Sequence, residues 1–419
     1  MLLELLVNSA RHHGAVEIEG HSMNSTKSVV LLVSLLTIAL GGCASSPERA
    51  LSDEDPPYAA LVTGKQPLGH AKSSLRTEQA LTSESDFIRH FERVRGHALN
   101  VLLLSGGGQN GSFGAGILKG WRANGSRPAF DIVTGVSTGA LLATHAFLGT
   151  PADDAVLEEI FTNVTSKDIF RKNDLLQIIG GATSLLDTDP LVALIAKTVT
   201  PEVLERVAAE HAKGRRLVVG TTNLDYNQTW AWDLSGIAAS GDPDALELYR
   251  RVLRASSAFP IMFPPVTIDG HLFADGAVRA NLLVVGLSGS EPPGPPLYGP
   301  GNVYVVQNGK SETAPHAVQE SLVSIASAAV GEMMASSNES LVMRSFFATL
   351  VHDYKFHTIS VPNDVDVGSD PLAFDHKQMQ AGFDAGYELG KRGLGSWSNA
   401  PPLLQDFPPW ALEVVKSKL

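Results

Sequence analysis

The chain has 419 residues, 44% of them hydrophobic, and a formal net charge of -12 at pH 7. Its length and its mean hydropathy of +0.05 suit one large α/β core or two smaller ones. The acidic balance disfavours nucleic acid as a partner, because phosphate backbones attract basic surfaces. Cys43 is the only cysteine, which excludes a disulfide within the chain.

The first predicted element is an export signal. Residues 29–40 form an apolar run behind Lys27, shorter than the roughly 20 residues that a membrane-spanning helix needs. Such a run is typical of a signal peptide. It leads into Gly41-Gly42-Cys43, which resembles a bacterial lipoprotein signal and implies that Cys43 is the lipidated first residue of the mature protein. A buried N-terminal helix that ends at the glycines is the alternative.

From residue 99 onward, apolar runs with strand character alternate with helical patterns. The predicted strands are residues 99–104, 131–136, 216–222, 229–234, 302–307 and 355–361. The predicted helices are residues 113–123, 138–148, 243–255 and 314–350. This alternation predicts an α/β fold with a mostly parallel central sheet that is covered by helices on both faces.

Two glycine-containing turns follow the first two predicted strands. The first is Ser-Gly-Gly-Gly-Gln-Asn-Gly at residues 105–111, and its backbone N–H groups can stabilise a negatively charged oxygen. The second, at residues 135–139, is a G-x-S-x-G sequence centred on Ser137, the pattern of a nucleophile on a sharp strand-to-helix turn. A nucleophile and an oxyanion hole together indicate acyl transfer.

Each turn also has another interpretation. Gly106, Gly108 and Gly111 fit the dinucleotide-binding pattern G-x-G-x-x-G. A Rossmann unit requires an acid at the end of its second strand, but Asp131 precedes that strand and Ser137 follows it. No Gly-Lys-Ser/Thr sequence is present, which excludes a Walker phosphate loop. For Ser137, the alternative is a plain turn with a serine that caps the helix.

Two further segments decide between these interpretations. Residues 255–266 read Ala-Ser-Ser-Ala-Phe-Pro-Ile-Met-Phe-Pro-Pro-Val, and residues 273–277 read Phe-Ala-Asp-Gly-Ala. With these two segments added to the two glycine turns, the chain resembles the patatin-like phospholipases over about residues 99–286. The four blocks are specific in combination, although each alone is common.

The resemblance implies a three-layer α/β/α fold and a lipid ester as substrate. It implies that Ser137 is the nucleophile of a Ser–Asp dyad and that Asp275 is its general base. It assigns the oxyanion hole to Gly106, Gly107 and Gly108, and it implies neither a metal ion nor an organic cofactor. Burial of Asp275 would make the dyad a reasonable one, because it raises the basicity of a carboxylate. An Asx turn with Gly276 is the structural alternative for this aspartate.

The predicted organisation combines these segments. The sequence divides into an upstream extension (1–22), a lipoprotein signal peptide (23–43), a polar tether with a helix leading into the domain (44–98), a patatin-like catalytic domain (99–365) and a C-terminal helical extension (366–419). Because Ala44 rather than Asp follows the cysteine, we expect the outer membrane as the location, with the lipid anchor holding the protein at the membrane surface. The sequence leaves the oligomeric state open.

The sequence departs from the family pattern at one position, and two other functions compete with the patatin-like hydrolase. Asn110 stands where the family often has Arg or Lys, which weakens the case for a phospholipid over a neutral ester. An α/β-hydrolase esterase would use a histidine as its base, with these candidates: His271, His316, His352, His357 and His376. A catalytically silent lipoprotein that binds lipid or protein is the other rival, although such a scaffold has no need for both Ser137 and Asp275.

Overall fold

The computed structural model describes residues 59–61, 95–173, 183–284, 297–311, 317–318, 320 and 322–408. The predicted upstream extension, the predicted signal peptide with Cys43 and most of the predicted tether lie outside these residues. The strands are β1 (Ala59–Leu61), β2 (Asn100–Leu104), β3 (Ile132–Val136), β4 (Arg171–Lys172), β5 (Leu186–Asp187), β6 (Arg216–Asn223), β7 (Gln228–Asp233), β8 (Val266–Ile268), β9 (His271–Asp275), β10 (Asn302–Lys310) and β11 (Lys355–Val361).

Ten α-helices connect and cover these strands within the described residues. They are α1 (Gly111–Asn124), α2 (Thr138–Leu148), α3 (Pro151–Thr162), α4 (Ser166–Ile169), α5 (Asp189–Thr198), α6 (Pro201–Ala212), α7 (Leu234–Ala239), α8 (Ala245–Ser256), α9 (Leu322–His352) and α10 (His376–Lys391). Short 3-10 helices lie at Gly108–Asn110, Gly276–Val278, Gly393–Ser396 and Pro402–Asp406. All six predicted strands and all four predicted helices are found, and α2 has the predicted bounds.

The central sheet is mostly parallel, as predicted. Its strands lie in the order β1-β7-β6-β3-β2-β10-β11, and β9 and β8 extend from β6. Five neighbouring strands pair in parallel, in the order β6, β3, β2, β10 and β11. The other four strands of this sheet, β7, β1, β9 and β8, join it in antiparallel pairs. This arrangement brings the carboxyl ends of the parallel strands, and the turns that follow them, to one edge of the sheet.

Both faces of the sheet are buried, which makes the fold three-layered. Along β2, Leu102 and Leu104 belong to the hydrophobic core on one face, and Val101 and Leu103 belong to the core on the other. Successive side chains of a strand point to opposite faces, so an apolar run without alternation predicts such double burial. Helices α1 and α2 supply the first core, and α9 supplies the second.

Strands β8 and β9 are among the elements that were not predicted from the sequence, as are β1, β4, β5 and the helices α3 to α7. Strands β8 and β9 form a hairpin whose turn is Asp269-Gly270, with φ values of 48° and 80°. An Asp-Gly pair is a strong hairpin signal because both positions require positive φ. The signal was therefore present, but the two strands are too short to show clear alternation.

Candidate active site

Ser137 lies on the sharp turn between β3 and α2, in a strained backbone conformation with φ 54° and ψ -125°. Two glycines make this turn possible. A Cβ on Gly135 would lie 2.3 Å from the carbonyl oxygen of Gly139, and a Cβ on Gly139 would lie 2.3 Å from that of Leu104. The strand, the turn and the helix therefore pack more closely than any side chain would permit. Strain of this kind is found at functional sites.

Asp275 reaches Ser137 because of the sheet register. Strand β3 pairs with β6 up to Val136, which lies opposite Gly220. Beyond Gly220, the same edge of β6 pairs with β9 instead, and Thr221 lies opposite Asp275. The end of β9 therefore meets the end of β3. The Ser137 Oγ donates a hydrogen bond of 2.6 Å to Asp275 Oδ2.

The Asp275 carboxyl group is buried and held at both oxygens. Its side chain is only 1% exposed, and its Oδ1 accepts a hydrogen bond of 2.8 Å from the backbone N–H of Ala277. Burial raises the pKa of Asp275 to about 7, against the lowering effect of the hydrogen bonds from Ser137 and Ala277. The Asx-type bond to Ala277 is thus present together with the contact to Ser137, and it fixes the direction of the carboxylate.

The glycine loop lies against the nucleophile turn. A Cβ on Gly107 would lie 1.8 Å from the carbonyl oxygen of Asn308, and Gly108 has a φ of 56°. The Gly106 amide donates to the backbone oxygen of Asn281 at 3.2 Å, so its N–H is already engaged. The structure records no acceptor for the amides of Gly107 and Gly108 among the described residues. Of the three predicted oxyanion-hole amides, these two are the ones that remain for a ligand.

Gln109 fixes the glycine loop to the C-terminal part of the chain. It is 1% exposed, and its Nε2 donates to Val367 O at 2.9 Å and to Gln378 Oε1 at 2.8 Å. Its Oε1 accepts from the amide of Asp375 at 2.9 Å. A buried side-chain amide with its groups satisfied holds a loop in one conformation, because each lost bond would leave a buried polar group unpaired.

The supporting roles of Gln109 and Ser256 were not predicted from the sequence. The Ser256 hydroxyl accepts a hydrogen bond of 2.9 Å from the amide of Ser137 and donates one of 2.7 Å to the carbonyl oxygen of Gly220. It therefore ties the strained turn to β6. Its position in the block of residues 255–266 was the available signal. Nothing local in the sequence marks Gln109, since its partners follow more than 250 residues later.

The described histidines lie in other contacts. His271 packs among the rings of Tyr226, Trp230 and Phe273. His357 is stacked on Tyr304, and its ring contacts Asn302 Oδ1 at 3.2 Å. Burial lowers the pKa of His352 and of His357.

His376 contacts the carbonyl oxygen of Thr162 at 2.5 Å, and His316 lies outside the described residues. No described histidine hydrogen-bonds to Ser137. Within the described residues, no group of three or more His, Cys, Asp or Glu side chains is arranged to hold a metal ion.

The geometry defines a serine–carboxyl site on a mostly parallel α/β fold, and comparison with known families agrees with this class. Residues 102–287 match the family model described as patatin-like phospholipase. The chain therefore carries a patatin-like phospholipase domain over this range, and the family indicates a lipid hydrolase.

Among the solved structures that match, the crystal structure of VipD from Legionella pneumophila is 15% identical to this chain. The match covers 72% of this chain and 67% of that one, with a TM-score of 0.33. No curated protein matches the sequence.

Proposed function

We propose that this protein hydrolyses fatty-acyl esters of lipids, including phospholipids, through a dyad of Ser137 and Asp275. The observation that carries the proposal is the hydrogen bond of 2.6 Å from the serine hydroxyl to the buried carboxylate. The strained backbone of Ser137 and the free amides of the glycine loop support it. The amides of Gly107 and Gly108 are the donors of the proposed oxyanion hole, and Gly106, whose own amide is bound to Asn281 O, belongs to the same loop.

In the first step, Ser137 Oγ attacks the acyl carbonyl carbon and its proton passes to Asp275 Oδ2. The carbonyl oxygen becomes an oxyanion, which the loop amides stabilise. A carboxylate with a pKa of about 7 is a much better base than one near 3.8, and burial supplies that difference. The intermediate collapses when the bond to the alcohol breaks, and the proton on Asp275 transfers to the leaving alkoxide.

In the second step, water hydrolyses the acyl-serine. Asp275 removes a proton from the water, whose oxygen attacks the acyl carbon. The same amides stabilise the second oxyanion. The bond to Ser137 Oγ then breaks, the serine recovers its proton from Asp275, and the fatty acid leaves. Each proton that the carboxylate accepts is returned within the same half-reaction.

The test is substitution of both dyad members. Ser137→Ala should abolish hydrolysis of phospholipid, lysophospholipid, triacylglycerol and p-nitrophenyl ester, and it should also abolish labelling by a fluorophosphonate. Asp275→Asn should lower kcat by about 10²–10⁴-fold, as is typical for loss of a general base. Because the two residues act as a unit, the double variant should be little worse than Ser137→Ala alone.

Asp269→Asn is the matched control, since it makes the same substitution at an exposed position of the β8–β9 turn. It should keep full activity. Near-normal activity of a folded Asp275→Asn variant would overturn the dyad. Absence of any hydrolysis by the wild-type protein, together with no fluorophosphonate labelling, would favour the silent binding scaffold.

A further inference from the structure

The side-chain amide of Asn281 lies beside the nucleophile and makes no hydrogen bond to any described residue. A Cβ on Gly106 would lie 2.4 Å from Asn281 Oδ1 and 3.0 Å from Ser137 Cβ, so the amide and the serine flank the same side of the loop. Asn281 is 7% exposed, and its Oδ1 is buried without a partner. Its backbone oxygen holds the amide of Gly106 at 3.2 Å.

An unbonded buried amide costs folding free energy. A polar group that loses its water and gains no partner destabilises a protein by about 1–3 kcal/mol. Use by a ligand or a reaction is one explanation for such a group in a native protein. Gln109, two residues beyond Gly107 in the same loop, shows the contrast, because its amide donates to Val367 O and Gln378 Oε1 and accepts from Asp375 N.

The Gly106 amide is already hydrogen-bonded, and this limits the donors that the loop can offer to a substrate. This leaves the amides of Gly107 and Gly108 as the loop donors without an acceptor among the described residues. A further donor on the Gly106 side of Ser137 would complete the set. The Asn281 amide can supply it after a half-turn about its Cβ–Cγ bond, and that rotation breaks no hydrogen bond to a described residue.

We propose that Asn281 is a substrate-contacting residue that donates a hydrogen bond from Nδ2 to the carbonyl oxygen of the bound acyl ester. The bond strengthens as negative charge develops on that oxygen. This inference rests on the proposed hydrolase function and adds a donor that the glycine loop alone does not provide. Asn281 makes no covalent bond to the substrate and transfers no proton.

The experiment compares activity with stability in the purified full-length protein. Asn281→Leu keeps four side-chain heavy atoms branched at Cγ and removes both polar atoms, and Asn281→Ala removes them with less volume. Arg279→Ala, an exposed position of the same turn, is the matched control. The readouts are kcat and KM on a p-nitrophenyl acyl ester, the rate of fluorophosphonate labelling, and the Tm of each variant.

Loss of one oxyanion donor typically lowers kcat by about 10²–10³-fold. We expect that loss in both Asn281 variants, with kcat and kcat/KM falling by nearly the same factor, because the bond gains most of its strength in the transition state. Labelling by the fluorophosphonate should slow in parallel. The Tm of Asn281→Leu should equal or exceed that of the wild type, since the substitution removes an unpaired buried amide.

Two outcomes would overturn the proposal. A wild-type kcat in folded Asn281→Leu would show that the amide does not act in the reaction. A kcat loss that comes with a lower Tm, or that the Arg279→Ala control shares, would assign Asn281 a structural role. If Ser137→Ala and Asp275→Asn are inactive while Asn281→Leu is fully active, only this inference fails. If those two dyad variants remain active, the proposed function itself fails.

Discussion

Asp275 takes its acid–base properties from its surroundings. Its side chain is 1% exposed, and the groups that contact its two oxygens are hydrogen-bond donors without a formal charge. Desolvation therefore dominates, and the pKa of the carboxyl group rises from 3.8 to about 7. The same burial that makes Asp275 a stronger base also makes its ionised form costly for the folded protein.

The first consequence is a pH dependence of the rate. Only the ionised carboxylate can accept the serine proton, so kcat/KM should rise with pH and level off above an apparent pKa of about 7. A pH–rate profile on a neutral ester, whose own charge does not change, measures this limb. An acid limb near pH 4 would mean that Asp275 is not desolvated in the working enzyme.

The second consequence concerns stability and separates Asp275 from a histidine base that titrates in the same range. Below about pH 4 both folded and unfolded chains hold the proton. As pH rises from about 4 to 7, the unfolded chain loses the proton while the folded one keeps it, so the folded state loses stability. The free energy of unfolding of Asp275→Asn relative to wild type should therefore increase between pH 4 and pH 8. Equal differences at both pH values would contradict the raised pKa.

At the scale of elements, the glycine loop depends on the contact between α1, which follows it, and α10. A Cβ on Gly116 would lie 2.1 Å from the carbonyl oxygen of Phe383, and one on Gly386 would lie 2.2 Å from that of Phe113. The two helix backbones therefore touch directly. Gln109 adds hydrogen bonds from the loop to the C-terminal segment. Residues after 365 therefore support the glycine loop, although the family match ends at residue 287.

Gly386→Ala tests that contact. Alanine has the higher helix propensity, by about 0.5–1 kcal/mol, but its Cβ would displace a backbone oxygen, and overpacking costs about 1–3 kcal/mol. We expect a Tm several degrees lower and a reduced kcat, because α1 begins directly after the loop. Thermal unfolding and ester hydrolysis measure the two effects.

Gly331→Ala is the matched control within α9, since a Cβ there meets nothing within 4 Å. Its Tm should stay the same or rise, with unchanged kcat. Similar behaviour of the two variants would mean that the close approach of α1 and α10 does not limit stability.

At the scale of the whole molecule, attachment to a membrane would bring the proposed hydrolase to its lipid substrate. No helix within the described residues has the length and apolar character to cross a bilayer. The sequence prediction of an export signal that ends at Cys43 remains our proposal for attachment. One acyl chain binds membranes only marginally, so stable attachment requires the several chains of a bacterial lipoprotein.

The attachment is tested by metabolic labelling with palmitate in a bacterial host. Wild-type protein should incorporate the label and fractionate with the outer membrane, and Cys43→Ser should lose both properties. Ester hydrolysis by the purified Cys43→Ser variant should be retained, because the dyad lies elsewhere in the chain. A mature N-terminus at a residue other than Cys43, found by mass spectrometry, would refute the proposal.

The sequence by itself determined the local parts of this protein. Gly135, Ser137 and Gly139 predict a sharp strand-to-helix turn, since only glycine tolerates the approach of backbone to backbone that the turn requires. Uninterrupted apolar runs predict strands buried on both faces. These signals act within a few residues, so they can be detected along the chain, and the six predicted strands and four predicted helices are present in the structure.

Only the tertiary structure decided which distant groups meet. Ser137 and Asp275 are 138 positions apart, and they touch because β9 continues the edge of β6 where β3 ends. The contact of Asn281 with Gly106 likewise joins two segments that are distant in the chain. The raised pKa of Asp275 arises from burial by the assembled layers, and burial is a property of packing that no single segment carries.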